Sequence, residues 1–557
     1  MNTTKNVRIG DILREYGYIT EDQLQKALSA QKSNGKRLGD LLVEMGYVTD
    51  RQRTQALSKK LNLRMIDLVS TEADMAAVAL LPQKLAEKYN MLPVAVNDQI
   101  ITIATDDPLN FYAQEDIRQL TGKNLEIVLC EQQALSDALT HYYTDISVKA
   151  ATQRANAAVI DTAEELEIEE GEGDAPIINL VDSLIERATS VSASDIHIEP
   201  FENKTVVRLR VDGTIVEYVN LQRSIHASVI ARIKILGNMD IAERRIPQDG
   251  HFRYRLGDEM INIRVSVMPT VFGEKAVLRV LSGHSAIDYP ASFGMTPENH
   301  TKMMDMMKSS NGIIYITGPT GSGKTTTLYM LLEYMSRKSV NICTVEDPVE
   351  KNLEHINQTQ VNNVAGLTFE SGMRALLRQD PDVIMVGETR DNETASISVR
   401  AAITGHLVFS TLHTNSAVSS IARLEDMGVE PYMLANSLVG IVAQRLIRKV
   451  CRYCSEDVPV TEAQKLLLGE GIDTVKKANG CPRCNNTGYS GRIAIHEILL
   501  IDKQIRMLIA KKASSEEIEE YAVKNQGLTL LKESGIQMVA TGVTTLEELL
   551  KVAYYSI

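Results

Sequence analysis

The sequence predicts an α/β protein of several domains, and three observations support that prediction. A chain of 557 residues is long enough for about three to five domains of ordinary size. Segments with alternating apolar positions, typical of strands, are interspersed with segments of helical period. A glycine-rich loop at 318–325 follows a β-branched run and precedes a helix-forming run, the order in which a parallel sheet presents a phosphate-binding loop.

The N-terminal segment contains a tandem repeat. The sequence RIGDILREYGYIT, starting at Arg8, returns as RLGDLLVEMGYVT, starting at Arg37. Each copy predicts two short helices, the first ended by a glycine and the second begun by Thr20 or Thr49 with a glutamine three residues later, as in a capping box. A strand pattern at 99–105 adds a small α/β unit, so we expect a mostly helical repeat domain over 1–145.

The remaining boundaries follow changes in composition and pattern. Residues 161–174 carry eight acidic side chains and no basic one, which predicts a solvated linker over 146–175. An amphipathic helix and several strand runs then predict an α+β domain over 176–283. The phosphate-loop domain follows at 284–450, a cysteine module at 451–500 and a helical region at 501–557.

Charge and hydropathy restrict the function. The formal net charge of −13 argues against a protein that mainly holds nucleic acid, because phosphate backbones require a basic surface. We therefore expect no direct nucleic-acid partner. No run of about 18 apolar residues occurs, and the N-terminus lacks the apolar core of a signal peptide. The sequence thus predicts a cytoplasmic protein that reaches a membrane only through partners.

The loop GPTGSGKT fits the pattern G-x-x-x-x-G-K-[ST], in which backbone amides and a helix N-terminus stabilise bound phosphate. Lys324 is expected to reach the β- and γ-phosphates of ATP, and Thr325 to ligate Mg²⁺. The residues predicted to bind the nucleotide here are Gly318, Pro319, Thr320, Gly321, Ser322, Gly323, Lys324, Thr325 and Thr326.

Acidic residues and a histidine come at the ends of neighbouring predicted strands. Glu346 ends NICTVE, Glu388 ends DVIMVGE, and His413 follows LVFSTL. Ligands of a parallel α/β sheet lie at the carboxyl ends of its strands, so these side chains are candidates for holding Mg²⁺ or polarising water. Either glutamate could be the general base, and the sequence leaves that choice open.

Four cysteines form two C-x-x-C pairs, Cys451 with Cys454 and Cys481 with Cys484. In a cytosolic chain such pairs indicate metal ligands before disulfides, and the set fits tetrahedral zinc. We therefore expect a structural Zn²⁺ in a zinc-ribbon-like module.

Several long motifs in order resemble one family. GPTGSGKTTT, TVEDPVE, LRQDPDVIMVGETRD and TGHLVFSTLHTN together look like the secretion ATPases that power type II secretion and type IV pilus assembly. The likeness continues in SASDIHIEP, RIPQDG and AQRLIRKVC and covers nearly the whole chain, with a departure at Thr389, where isoleucine is more usual.

This resemblance implies a RecA-like ATPase core preceded by a domain termed N2, at 176–283. It implies a homo-hexamer, peripheral at the inner membrane, that hydrolyses ATP and acts on a membrane platform protein to assemble a type IV pilus. It gives catalytic roles to Lys324, Glu346, Glu388 and His413, and Arg210 and Arg279 are the candidates for arginines that reach the phosphates from N2. The alternatives are type II secretion, a DNA-acting translocase, and a nucleotide sensor without turnover, the last opposed by the intact Lys324 and glutamates.

The tandem repeat resembles the cyclic di-GMP-binding N-terminal domain found on some of these ATPases. The second copy departs from that pattern at Arg53, where leucine is expected, and at Lys60, where glutamine is expected. The alternative is a helical module that docks only a protein. The residues that the resemblance assigns to the ligand are Arg8, Ile9, Gly10, Leu24, Leu28, Gln31, Arg37, Leu38, Gly39 and Leu57.

Overall fold

The computed structural model describes residues 8–34, 36–68, 71–161, 175–257, 259–281, 294–469, 471–481, 484 and 486–553. The chain divides into two compact units. The first covers Met1–Val280, and the second contains nearly all of Leu281–Ile557. The acidic segment 162–174 lies outside the described residues.

The tandem repeat folds as two helical pairs, as predicted. The helices are α1 (Ile9–Glu15), α2 (Glu21–Asn34), α3 (Leu38–Glu44) and α4 (Asp50–Leu61). Both predicted capping boxes form: Thr20 and Thr49 each accept from the amide of the glutamine three residues on, whose side chain in turn accepts from the threonine amide. The four helices enclose one apolar core, in which Leu13 and Leu42 are fully buried.

A small α/β layer follows the repeat. Its elements are α5 (Met75–Val78), α6 (Gln83–Tyr89), β1 (Met91–Val96), β2 (Ile100–Thr105), α7 (Phe111–Thr121), β3 (Asn124–Leu129) and α8 (Gln132–Asp161). The strands form a sheet in the order β1-β2-β3, with β2 antiparallel to β1 and parallel to β3.

Helix α8 is longer than the sequence suggests, since it runs through 146–161, which the sequence analysis assigns to the linker. The reason is packing with the next domain. Val148, Ala151 and Ala155 are buried in that domain's core, and Asp145 lies 3.2 Å from the guanidinium of Arg187.

The α+β fold expected for N2 is confirmed. Its elements are α9 (Ala175–Ser190), β4 (Ala193–Pro200), β5 (Lys204–Val211), β6 (Thr214–Gln222), α10 (His226–Leu236), β7 (Gln248–Leu256), β8 (Glu259–Thr270) and β9 (Gly273–Leu281). The six strands have the order β6-β5-β4-β9-β8-β7, and their apolar face packs against the two helices.

The second unit is built on a seven-stranded sheet in the order β12-β11-β13-β14-β10-β15-β18. All its neighbouring pairs are parallel except β15 with β18. Buried apolar clusters cover both faces, as a mostly parallel sheet requires. The first elements are α11 (Pro297–Met306), β10 (Gly312–Thr317), α12 (Lys324–Ser336), β11 (Ile342–Glu346), β12 (Asn357–Gln360), α13 (Phe369–Leu376), β13 (Val383–Val386), α14 (Asn392–Ile403), β14 (Leu407–Leu412), α15 (Ser419–Asp426), α16 (Pro431–Ser437) and β15 (Leu438–Val450).

The C-terminal part completes this sheet, and the structure divides it differently from the expected boundaries at 450 and 500. Strand β18 pairs along most of β15, so the cysteine segment is an insertion between two neighbouring strands of the core sheet. Ile505 and Ile518 are buried in the same apolar cluster as Ile441 of β15. The remaining elements are β16 (Ser455–Pro459), α17 (Glu462–Leu468), β17 (Thr474–Ala478), β18 (Tyr489–Leu500), α18 (Lys503–Ala510), α19 (Ser515–Gln526), α20 (Leu531–Ala540) and α21 (Leu546–Ala553).

None of the helices in the described ranges is both long enough and apolar enough to cross a lipid bilayer.

Candidate nucleotide site

The predicted catalytic residues of the second unit meet at one edge of its sheet. Strand β10 ends just before the glycine-rich loop, β11 ends at Glu346, Glu388 follows β13, and His413 follows β14. Because these strands are parallel, their carboxyl ends lie on the same side. The structure therefore brings Lys324, both glutamates and His413 to the expected edge.

The loop is held in a conformation that only glycine tolerates. Gly318 has φ +151°, and a Cβ there would lie 2.5 Å from the backbone oxygen of Gln444. Gly323, with φ +85°, is the N-cap of α12. The α12 N-terminus therefore begins at the loop, where its dipole favours negative charge.

Gln444 is a site residue that the sequence analysis did not assign, although it lies in the quoted motif AQRLIRKVC. Its amide nitrogen donates to the Ser322 carbonyl at 2.7 Å, and its amide oxygen accepts from the Thr327 hydroxyl at 2.7 Å. Gln444 thus fastens the phosphate loop and the first turn of α12 to strand β15.

Lys324 is buried within the loop. Its ammonium donates to the carbonyl of Gly318 at 2.8 Å and to that of Pro319 at 3.1 Å. Burial lowers the pKa of Lys324 to about 8, against the opposing effect of the nearby Glu388 carboxylate. Within the described part of the chain the buried hydroxyl of Ser322 has no hydrogen-bond partner. The buried ammonium of Lys324 and the nearby Ser322 hydroxyl are therefore suited to bind the phosphates of a nucleotide.

The two glutamates have different surroundings. Glu388 lies 2.6 Å from the Arg390 guanidinium and 3.8 Å from Nε2 of His413. Burial, together with the nearby Lys324, lowers the pKa of His413, so its ring is neutral near pH 7. Glu346 is 3% exposed, and its described partners are the neutral groups of Tyr329, Thr344 and Gln358. Thr389, at the departure from the family pattern, is buried with its hydroxyl 2.8 Å from that of Ser410.

Arg210 and Arg279 lie in the first unit, on the strands that flank β4. Both face Asp195 in the strand register, and their Nε atoms lie 3.5 and 3.0 Å from its carboxylate. Asp195 therefore brings the two arginines together. Their part in nucleotide binding stays a prediction.

The four cysteines of the insertion lie together. The Sγ atoms of Cys451, Cys454, Cys481 and Cys484 are all within 4.8 Å of one another. Cys454 and Cys484 have their sulfurs 3.8 Å apart, close to the ~3.8 Å edge of a tetrahedron with Zn–S bonds of about 2.3 Å. Burial and the neighbouring thiols raise the pKa of Cys454, a penalty on the thiolates that a bound cation relieves. The donor set fits zinc.

The two glycine motifs of the N-terminal repeat lie against each other. A Cβ on Gly10 would contact Leu24 of its own repeat and Leu38 of the other, while one on Gly39 would contact Arg53 and Ile9. The residues assigned to cyclic di-GMP thus belong to one helical unit, in which Leu28 also packs on the core and Gln31 donates to the Lys36 carbonyl at 3.0 Å.

Arg37 does not project freely from this unit. Its guanidinium lies 2.7 Å from the carboxylate of Asp107 in the adjoining α/β layer. Arg8, its counterpart in the first repeat, is exposed immediately before α1. The two repeats therefore present their first arginines differently.

A glycine-rich loop between a strand and a helix of a parallel sheet, with acids at the neighbouring strand ends, defines a P-loop ATPase. The chain belongs to the family described as Type II/IV secretion system protein, whose model matches residues 170–551. A second model, the MshEN domain, matches residues 61–147, which is the α/β layer and the first part of α8 rather than the tandem repeat. The family resemblance seen in the sequence is confirmed.

Two relatives illustrate the range of the family. The Type IV pilus assembly ATPase PilB of Myxococcus xanthus is 37% identical over 554 residues, covering 97% of this chain and 98% of the relative. The Type II secretion system protein E of Pseudomonas aeruginosa is 41% identical over 495 residues, covering 86% of this chain and 98% of the relative.

A solved structure shows the same fold at lower identity. The ATPase DotB of Legionella pneumophila superposes with a TM-score of 0.51 at 20% identity, over 68% of this chain and 95% of DotB. The chain is an ATPase of the secretion and pilus-assembly family.

Proposed function

We propose that this ATPase is the motor for type IV pilus assembly. Its likeness to the pilus assembly ATPase of Myxococcus xanthus, which extends over 97% of this chain, carries the proposal. In this proposal the protein is a homo-hexamer at the cytoplasmic face of the inner membrane, and ATP turnover moves a platform protein that adds pilin subunits. The second candidate is assembly of a type II secretion pseudopilus, which the 41% identity to the Pseudomonas protein favours.

Hydrolysis is assigned to the edge of the seven-stranded sheet. Lys324 holds the β- and γ-phosphates, and Thr325 would hold Mg²⁺, which neutralises charge on the phosphates. Glu388 lies beside Lys324, Arg390 and His413, which supports a role for its carboxylate among the groups that face the phosphates. Glu346, at the end of the neighbouring strand, is the second acid available to orient the attacking water. Arg210 and Arg279 supply further positive charge from N2.

Two further ligands belong to the proposal. Zn²⁺ on the four cysteines stabilises the insertion between β15 and β18. Cyclic di-GMP binds the tandem repeat, where Arg8 pairs with phosphate or stacks on guanine and the leucines pack on the base. Calorimetric titration of cyclic di-GMP into the full chain, with GTP as control, is expected to give binding that Arg8→Ala abolishes. No binding to the unaltered chain would leave the repeat as a protein-docking module.

The test of the motor proposal compares Lys324→Ala with Lys338→Ala, an exposed lysine beyond the end of the same helix. In purified protein, Lys324→Ala should abolish ATP hydrolysis, because it removes the cation that holds the phosphates, while Lys338→Ala keeps it.

In cells lacking the gene, each variant is introduced and both surface pili and secreted enzymes are measured. Loss of pili with intact secretion under Lys324→Ala supports the pilus motor. Loss of secretion with intact pili assigns the chain to type II secretion. Hydrolysis that DNA stimulates with a steep salt dependence would point to a translocase instead.

A further inference from the structure

Three side chains donate hydrogen bonds to the Glu346 carboxylate. Its Oε1 accepts from the Thr344 hydroxyl at 2.5 Å and from the Gln358 amide at 3.0 Å, and its Oε2 accepts from the hydroxyl of Tyr329. Thr344 belongs to the same strand, β11, and Gln358 to the adjacent β12. Tyr329 is the donor that comes from outside the sheet.

Tyr329 lies on α12, the helix that begins at Lys324, and is 6% exposed. Its hydroxyl also accepts from the amide of Glu350 at 3.0 Å, in the loop that follows β11. Burial and the neighbouring Glu346 raise the pKa of Tyr329, so the phenol stays a neutral donor throughout the range in which proteins are assayed. One hydroxyl therefore joins the helix of the phosphate loop, the acid and the loop beyond the acid.

The same helix and loop are tied together a second time. Glu333 of α12 pairs with Lys351 at 2.9 Å, and the Lys351 carbonyl accepts from the Gln358 amide at 3.0 Å. The Gln358 amide oxygen accepts from the Leu353 amide at 2.7 Å. The carboxylate of Glu346 is thus the centre of a network that starts on the phosphate-loop helix.

We propose that Tyr329 is a positioning residue, which holds the Glu346 carboxylate at the sheet edge and ties its place to that of the phosphate-loop helix. The inference rests on the proposed role of Glu346 in hydrolysis. In Tyr329→Phe, Oε2 loses its donor and the carboxylate turns from its place, while Lys324 and the loop that bind the phosphates are unchanged.

The expected kinetics follow because Tyr329 positions the acid, whereas Lys324 and the loop bind the phosphates. We expect kcat of Tyr329→Phe to fall by about 10- to 100-fold, the range expected for misplacement of a catalytic group, with KM for ATP within about twofold of the unaltered protein. Tyr334→Phe is the matched control, because Tyr334 lies on the same helix and the same hydroxyl is removed. The control should leave both constants unchanged.

The decisive experiment is a double-mutant cycle on the full chain with Tyr329→Phe, Glu346→Gln and their combination. Residual hydrolysis is measured in single turnover with protein in excess, and the melting temperature is measured for each variant. If Tyr329 acts through Glu346, the combined variant is no slower than Glu346→Gln alone.

The remaining outcomes distinguish the role of Tyr329 from that of Glu346. The positioning role would be overturned, and the role of Glu346 left intact, by either of two results. In the first, Glu346→Gln hydrolyses ATP slowly while Tyr329→Phe hydrolyses it at the full rate. In the second, the two reductions in rate multiply in the combined variant. Full turnover in Glu346→Gln would overturn both roles. If Tyr329→Phe lowers the melting temperature and changes kcat and KM by similar factors, Tyr329 has only a packing role. That result would also overturn the inference.

Discussion

The two N-terminal repeats have equivalent helices and the same threonine caps, yet one packing position is apolar in the first repeat and charged in the second. In the first repeat Leu24, 6% exposed, packs against Gly10. In the second, Arg53 lies against Gly39 at the corresponding position and is 8% exposed. A leucine and an arginine therefore fill equivalent places in one fold.

The arginine is accepted because acids surround it. Its guanidinium lies 2.5 Å from Asp40 and 2.8 Å from Asp50. Asp50 also accepts from the backbone amide of Gln132 at 2.7 Å, at the start of α8. Burial raises the pKa of the nearby Asp106, and the charge of Arg53 opposes that rise. The first repeat is thus held by apolar packing, whereas the second exchanges part of that packing for ion pairs of Arg53 with Asp40 and Asp50. The Asp50 carboxylate also accepts a hydrogen bond from the start of the long helix that enters the N2 core.

The largest expected effect concerns the apolar repeat. Leu24→Ala leaves a cavity beside Gly10 and should lower local stability by about 3 kcal/mol, nearly independent of salt. Hydrogen exchange of the α1 and α2 amides should accelerate by roughly 100-fold. Unchanged exchange in these two helices would show that Leu24 does not support the pair.

A smaller and salt-dependent loss is expected in the second repeat. Arg53→Ala leaves Asp40 and Asp50 without their cation, but Asp40 is 42% exposed and water takes over part of the interaction. We expect a loss of about 2 kcal/mol in local stability, measured by hydrogen exchange of the α3 and α4 amides. This loss should shrink as salt rises from 0.1 to 1 M, because salt screens the ion pairs. A loss of the same size at both salt concentrations would mean that the arginine acts by packing alone.

The next variant tests whether the exchange of leucine for arginine at this position affects the binding of cyclic di-GMP. Arg53→Leu restores the apolar contact that the first repeat has, and should raise affinity for cyclic di-GMP by about fivefold through roughly 1 kcal/mol of apolar contact. Calorimetry of the full chain measures it, with Leu24→Arg as the reciprocal change that should weaken binding. Equal affinities in all three proteins would show that this position does not touch the ligand.

The smallest effect is expected from removing the carboxylate that pairs with Arg37. Asp107→Asn removes the partner of Arg37, whose side chain is 66% exposed, so stability should change by less than about 1 kcal/mol. Affinity for cyclic di-GMP should rise if Arg37 then reaches a phosphate. Asp116→Asn, at another acid of the same layer, is the control.

Local sequence signals predicted much of this molecule. The caps at Thr20 and Thr49 and the strand–loop–helix at Gly318 depend on neighbours within a few residues, and they lie where the sequence placed them. Parallel strand ends then brought Glu346, Glu388 and His413 to one edge, because the sheet supplies the long-range order that the motifs lack.

The remaining features depend on contacts between distant segments. Helix α8 extends to Asp161 because its small residues pack on N2, which a charge pattern alone does not reveal. Gln444 reaches the phosphate loop from β15, and Tyr329 reaches Glu346 from α12. Hydrophobic periodicity does not reveal contacts between such distant residues, so the sequence named the candidate catalytic groups but not the residues that contact them.

The place of the cysteine segment has a consequence for synthesis of the chain. Strand β18 closes the edge of the core sheet against β15, but it leaves the ribosome only after the whole insertion has been made. During that interval the hydrogen-bonding edge of β15 is unpaired, a state open to association with other chains. Were the four cysteines to take up zinc as proposed, the metal would draw Cys451 and Cys484 together and shorten the loop that β18 must close. The supply of zinc during translation would then set how long this aggregation-prone edge stays open.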